Sequence, residues 1–381
     1  MSNSDGKKTS IDAKLRFTII GFVVLLVVAV ALLVLVSKNE EDNRGAQSFI
    51  RLSGQTGFSC EYAEAQKLYA FGEGVLKVTK ERVAYLTLSG NEVFSTSVSY
   101  NNPQCYILND KCVVFDNDGY GFVVIDTSRV IYEKPTENKI QSAILSESGL
   151  CAVITDSTDA YGEVILYNSE GGQISRWSSY NSGYPICGAF SGDERYFALT
   201  TLNTTGAVYK PYVRLFSLDY DSDSISASDY AVFTIDDTQI LSFAGYIDNK
   251  LFTFCTDSIY TVTNDELVLL NNSFGAINYV RIVDDVIFII YSDGVNQLNK
   301  LMILNSSGNA VYDSEVGSDV NAIASSGSMY ALSIDDRILV FNSNGSVVSD
   351  ISVDEDIIRI GFTSNNRLVV VSTGGVHTVD Y

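Results

Sequence analysis

The chain has 381 residues, a formal charge of −21, one His, six Cys, four Pro and one Trp. A field of that sign repels phosphate backbones, which bind through Lys and Arg, and so argues against a nucleic-acid partner. A hydrophobic fraction of 46% with 11% aromatics excludes a disordered chain, and 23 Tyr and 19 Phe against 3 Met favour strands over helices.

The first sixteen residues carry Lys7, Lys8, Lys14 and Arg16 against Asp5 and Asp12. Residues 17–36, FTIIGFVVLLVVAVALLVLV, follow as an unbroken uncharged run. That is the length a helix needs to cross ~30 Å of hydrocarbon. The run exceeds the apolar core of a secretory signal and ends in Ser37, Lys38, Asn39, Glu40 rather than a small-residue cleavage site, which predicts an uncleaved membrane anchor. The positive flank upstream predicts a cytoplasmic N-terminus, residues 1–16, and an extracytoplasmic bulk. Residues 37–47 read as an acidic linker. Residues 48–381 read as one all-β domain.

Within that domain a two-hairpin phrase recurs. Its first half appears as AILSESGLCAVIT (143–155), VRIVDDVIFIIY (280–291) and IGFTSNNRLVVVS (360–372), each a strand, a polar turn and a strand. Its second half appears as VILYNSEGGQI (164–174), LMILNSSGNAV (301–311) and ILVFNSNGSVV (338–348), with Asn, Ser and Gly where a tight turn needs them. Gly171, Gly308 and Gly345 set repeats of roughly forty-odd residues, the size of a four-stranded propeller blade. Blades are predicted at 68–98, 104–134, 140–178, 184–235, 239–270, 276–316 and 320–352. The last segment, 357–381, supplies three strands, and residues 48–52 would supply a fourth. The fold class is therefore a β-propeller of eight blades behind one transmembrane helix, with seven blades as the alternative.

The layout of anchor, acidic linker and NSxG blades, with segments such as GVLKVTKERVAYLTLSGNEVF (74–94), resembles an uncharacterised domain-of-unknown-function family of membrane-anchored β-propellers from Gram-positive anaerobes. That resemblance implies no activity. More distantly the chain is similar to quinone-enzyme-like eight-bladed propellers. Those repeats carry a Trp in nearly every blade, whereas Trp177 stands alone here, so no quinone cofactor is implied.

Catalytic signatures are missing. No G-x-S-x-G elbow, C-x-x-C, H-E-x-x-H or phosphate-binding G-x-x-x-x-G-K-[ST] occurs, and His377 sits in an apolar strand as a structural residue. Calcium is the one metal candidate, because Asp219, Asp221 and Asp223 alternate as in the opening of a calcium loop. Ser224 replaces the turn glycine and Tyr230 the closing Glu, which favours a solvated acidic loop. No other cofactor is expected. Of the six cysteines, Cys105 and Cys112 flank one hairpin turn and are the candidate disulfide, while the others read as core thiols.

In a propeller the loops joining second to third strands, and those joining blades, share one face. Here they are lengthened and tyrosine-rich, which nominates Tyr100, Tyr161, Tyr180, Tyr184, Tyr209, Lys210 and Lys300 as a binding face. The expected function is a binding or scaffolding module for a protein, peptide or envelope glycan. The alternative is an extracytoplasmic glycan-active hydrolase or lyase using Asp and Glu near the channel.

Overall fold

The second strand of each repeat is the most apolar. Lys111–Asp116, Cys151–Thr155, Val286–Ser292 and Leu368–Ser372 are buried along almost their whole length. A strand covered on both faces must lie inside a sheet packed on both sides, so its sequence reads as a run rather than an alternation. The computed structural model describes residues 46–60, 66–221, 224–235, 243–283, 286–293, 299–316, 320–327, 329–342 and 345–381. The predicted membrane span 17–36 and the stretch before it lie outside the described residues. Among the described residues no helix is long and apolar enough to cross a membrane.

The described strands form eight sheets, six of them plain four-stranded antiparallel meanders and two, the last in the chain, completed by strands from the start of the domain. Blades 1 to 8 span 66–97, 103–135, 140–178, 184–234, 243–271, 276–315, 320–353 and 357–379. The seven predicted complete blades therefore stand within a few residues of their predicted bounds. The first strand of each blade touches the first strand of its neighbours, so these strands ring a central axis. Fourth strands such as Glu92–Ser97 and Ser224–Thr234 lie outermost and are largely exposed.

Each seam between neighbouring blades is filled by one apolar cluster. Phe197, Ile154 and Phe216 fill the seam of blades 3 and 4, and Phe288, Tyr330 and Phe341 that of blades 6 and 7. Burying a Phe or Ile side chain contributes ~1.5–3 kcal/mol, so the seams carry most of the stabilisation. Near the axis the approach is closest. A Cβ on Gly361 would lie 2.5 Å from the Ala70 Cβ across the seam of blades 8 and 1.

The turn between third and fourth strands explains the recurrent NSxG. In blade 6 the Gly308 N–H donates to the Asn305 carbonyl at 2.8 Å, the Asn305 N–H to the Asn309 carbonyl at 3.0 Å, and the Asn309 N–H to Asn305 Oδ1 at 3.0 Å. Gly308 has φ +84°, the left-handed position a three-residue hairpin loop demands. Gly90, Gly171 and Gly345 repeat it at +82°, +82° and +78°.

Closure corrects one expectation. Residues 48–52 do not complete blade 8. Ala46–Ile50 instead lies parallel to Val347–Val353 as a fifth strand on blade 7, in the register Ile50 with Val353. Leu52–Gly54 makes a 3-10 turn, and Gly57–Ser59 then pairs antiparallel with Gly375–Val379, Gly57 opposite His377, to give blade 8 its fourth strand. The reason is Leu52, which is fully buried in the seam of blades 7 and 8 while Phe49 stands exposed. The Leu52 N–H donates to Asp354 Oδ1 at 2.9 Å and fixes the turn.

Candidate functional site

Blades 3 and 4 carry four of the five nominated tyrosines on one face. Tyr161, in the loop between second and third strands of blade 3, packs its ring edge-on against Tyr184 with centroids 5.0 Å apart. Tyr180, on the connection between the two blades, is 64% exposed, and Val208 and Tyr209, in the loop between second and third strands of blade 4, are exposed as well. A bulge between Pro185 and Cys187 in the innermost strand of blade 4 leaves Ile186 unpaired and exposed.

The loops are held rather than free. The Tyr161 N–H donates to the Ser179 carbonyl and the Ser179 N–H to the Gly162 carbonyl, both at 2.9 Å. The buried Ser179 hydroxyl donates to the Gly183 carbonyl at 2.5 Å. Gly183 has φ +82°, and a Cβ there would run into the Leu202 carbonyl at 2.2 Å. Asn203 Nδ2 donates to the Asn181 carbonyl at 3.0 Å and Arg214 Nη2 to Ser182 Oγ at 2.9 Å. Arg214 in turn lies over the Trp177 ring at 5.1 Å and pairs with Asp229 at 3.0 Å. A surface fixed in this way loses little entropy when it is covered.

Three nominated residues stand differently. Tyr100 is 6% exposed in the seam of blades 1 and 2, so it is core and offers no contact area; its sequence neighbours are loop residues, but its ring covers Gly121. Lys210 opens the third strand of blade 4 and is exposed. Lys300 pairs with Asp293 at 3.2 Å, which neutralises its charge.

The calcium reading meets a hairpin. Asp219 and Asp221 lie in Lys210–Asp221, opposite Ser226 and Ser224 of a regular antiparallel ladder, because this blade simply prolongs its outer two strands. Asp223 lies outside the described residues. Among the described residues no three His, Cys, Asp or Glu side chains converge as metal ligands.

The proposed disulfide is replaced by a thiol contact. Cys105 stands opposite Val114 and Cys112 opposite Ile107, so the two are diagonal on one face, and both are free. Diagonal pairs lie ~7–8 Å apart, beyond ordinary disulfide reach. The Cys112 thiol hydrogen-bonds Cys105, and the Tyr69 hydroxyl does likewise. Cys151, Cys187 and Cys255 are core thiols, as predicted.

His377 lies buried in the last blade, with Nε2 3.9 Å from Glu355 Oε2. Glu355 accepts directly from the Ser372 hydroxyl and from the Gly374 N–H at 3.1 Å. The imidazole therefore does not stand between acid and hydroxyl, as a catalytic triad requires. Burial pushes its pKa below 6.5, against the opposing pull of Glu355 and Asp354. The unfolded chain thus takes up a proton, as pH falls below about 6.5, that the folded chain refuses. Stability should drop more steeply as pH falls below about 6.5 in the native chain than in His377→Gln, read by urea unfolding at each pH. Parallel slopes would contradict this.

The opposite face carries two shallow depressions that the sequence did not suggest, of about 560 and 380 Å³. They lie among turns between first and second strands, one lined by Asp248, Asn249 and Lys250, the other by Asp193, Glu194 and Arg195.

Fold and site together define a closed eight-bladed β-propeller with a rigid, tyrosine-rich loop face and one His held in structural contacts. The chain belongs to the family of unknown function DUF5711, whose model matches residues 46–380. No curated protein matches it. Among solved structures it is similar to BamB from Moraxella catarrhalis, at 12% identity over 85% of this chain and 96% of that one, with a TM-score of 0.53. It is also similar to AztD from Citrobacter koseri, at 12% identity over 78% and 88%, with a TM-score of 0.55. At such identities the likeness shows the fold.

Proposed function

We propose that this chain is a non-enzymatic binding propeller that engages a protein partner through the loop face of blades 3 and 4. Residues 17–36 anchor it in a membrane, with 1–16 cytoplasmic and the propeller outside. The observation that carries the reading is the group Tyr180, Tyr184, Ile186, Val208 and Tyr209, all exposed, on two loops and the strand between them, with the Tyr180 loop tied down through the buried Ser179. Amphipathic rings on a rigid support are the composition of interface centres, where a single Tyr contributes ~2 kcal/mol or more. The uncharged run 17–36 and its upstream cations support the anchor and its direction. The single His, whose buried Nε2 hydrogen-bonds no described side chain, supports a role without catalysis.

A photo-crosslinking amino acid placed at Tyr180 of the full-length chain in its native cells should give one discrete protein adduct. The adduct should fall at least about tenfold when Tyr184 and Val208 are changed to Ser. The same probe at Asp110, on a turn of the opposite face, should give none. Equal adducts from both faces, or none at Tyr180, would overturn the assignment. Release of product from cell-wall polysaccharide by the purified protein would overturn the non-enzymatic part.

A further inference from the structure

The eight innermost strands surround the central axis, and their charges are one-sided. They carry Lys67 in Gln66–Phe71, Arg281 in Ala276–Val283 and Arg359 in Ile357–Phe362, and not one Asp or Glu. The 46 acidic residues of the chain all stand outside these strands, so a protein of charge −21 has an innermost ring of strands with three cations and no carboxylate.

Each cation is tied to the next blade of the ring. Arg359 Nη1 donates to the Leu68 carbonyl at 3.1 Å, and its guanidinium lies 4.2 Å above the Tyr69 ring. Arg281 Nη1 donates to the Ile323 carbonyl at 2.7 Å. Leu68 and Ile323 each lie three residues before the last pair of their hairpins, Phe71 with Gly74 and Ser326 with Met329, so the two guanidinium groups bridge seams at the same height. Lys67 Nζ donates to the Pro103 carbonyl at 2.9 Å and to Gln104 Oε1 at 3.1 Å.

Electrostatics link them. Arg359 pushes the Lys67 pKa down, in the same direction as burial. Both cations help draw the Cys105 thiol below its ordinary value, after the larger effect of the Cys112 hydrogen bond. Burial raises the Tyr106 pKa, and Arg281 of blade 6, four blades away around a ring of eight, pulls it back, so the charge of Arg281 is felt across the axis. Among the described residues no carboxylate pairs with Lys67, Arg281 or Arg359. Each guanidinium spends one nitrogen on a neutral carbonyl, which holds it in place without cancelling its charge.

We propose that the channel is a binding site for a compact small-molecule oxyanion of at least two negative charges, a phosphate or a clustered carboxylate. Lys67, Arg281 and Arg359 supply the charge, and the Tyr106 hydroxyl supplies a neutral donor. Like charges set in a confined wall repel one another, and an oxyanion relieves that repulsion while accepting the forked donors of arginine. The acidic exterior turns away long polyanions, which selects for a ligand small enough to enter.

The test is thermal unfolding of the full-length chain in detergent, with inorganic phosphate or citrate against sodium chloride at equal ionic strength. The native chain should gain about 5 °C at saturating phosphate or citrate, in a saturable manner. Arg281→Gln and Lys67→Gln should lose the gain while keeping their melting temperature in chloride, and Arg281→Lys should keep most of it. If Arg281→Gln does not fold, Lys67→Gln, whose side chain is only partly buried, gives the reading. A gain no larger than in chloride, or one undiminished in the Gln variants, would overturn the site.

Discussion

Removing residues 46–59 from the full chain, with residues 1–45 left in place, should lower the melting temperature of the propeller by more than about 10 °C. The deletion strips the fifth strand from blade 7 and the closing strand from blade 8. It also removes Leu52, which packs with Val353, Ile357 and Val379 in the seam of those blades. Losing a fully buried Leu costs ~2–5 kcal/mol by itself. The strand Gly375–Val379 would then become an open edge, with unpaired backbone groups and the buried Val376 brought towards water. At ~2–4 °C per kcal/mol for a domain somewhat smaller than this one, the sum passes 10 °C. Calorimetry of the deletion and of Leu52→Ala checks both parts, the single substitution accounting for ~2–5 kcal/mol. A deletion that melts within a few degrees of the native chain would show the ring closed by other means.

The second large effect is expected at Phe197, the residue that ties the candidate face to the core. Its ring is fully buried, 4.8 Å from Phe190 and 6.3 Å from Phe216 by centroid. Phe216 meets Trp177 at 5.7 Å, and Arg214 covers Trp177 on the side of the Tyr180 loop. Phe197→Ala should therefore cost ~3–5 kcal/mol in urea unfolding. It should also weaken the adduct at Tyr180, since the loop hangs on Arg214 and the ring beneath it. A cost below about 1 kcal/mol would mean that the seam relaxes around the cavity and that the loops are supported independently.

What the sequence made legible was local. In blades 3, 6 and 7 the Asn that opens the third-to-fourth-strand turn and the Gly three residues on are dictated by chemistry within five residues, so the repeat could be read and its blades placed. Second strands announced themselves as apolar runs because both faces are covered. The closing strand did not, since Gly57–Ser59 is three residues long and its partner lies at the far end of the chain. Tyr100 looks like a loop tyrosine until the packing of blade 2 puts Gly121 beneath it. Asp219 and Asp221 alternate in a calcium loop and in a strand alike, and only the register with Ser226 and Ser224 separates the two. Lys67, Arg281 and Arg359 are unremarkable in three separate strands, and become a set once the strands are known to ring one axis.

Both the loop face and the channel depend on a ring shut between its two ends. Hydrogen exchange of the full-length chain followed by mass spectrometry tests this without any substitution. The Cys60 N–H donates to the Gly374 carbonyl at 3.3 Å and the Thr378 N–H to the Thr56 carbonyl at 2.7 Å. The account predicts that the peptide covering residues 55–60 exchanges as slowly as the one covering 375–379, the two opening together. Exchange of 55–60 at the rate of an unstructured tail, with 375–379 still protected, would contradict it.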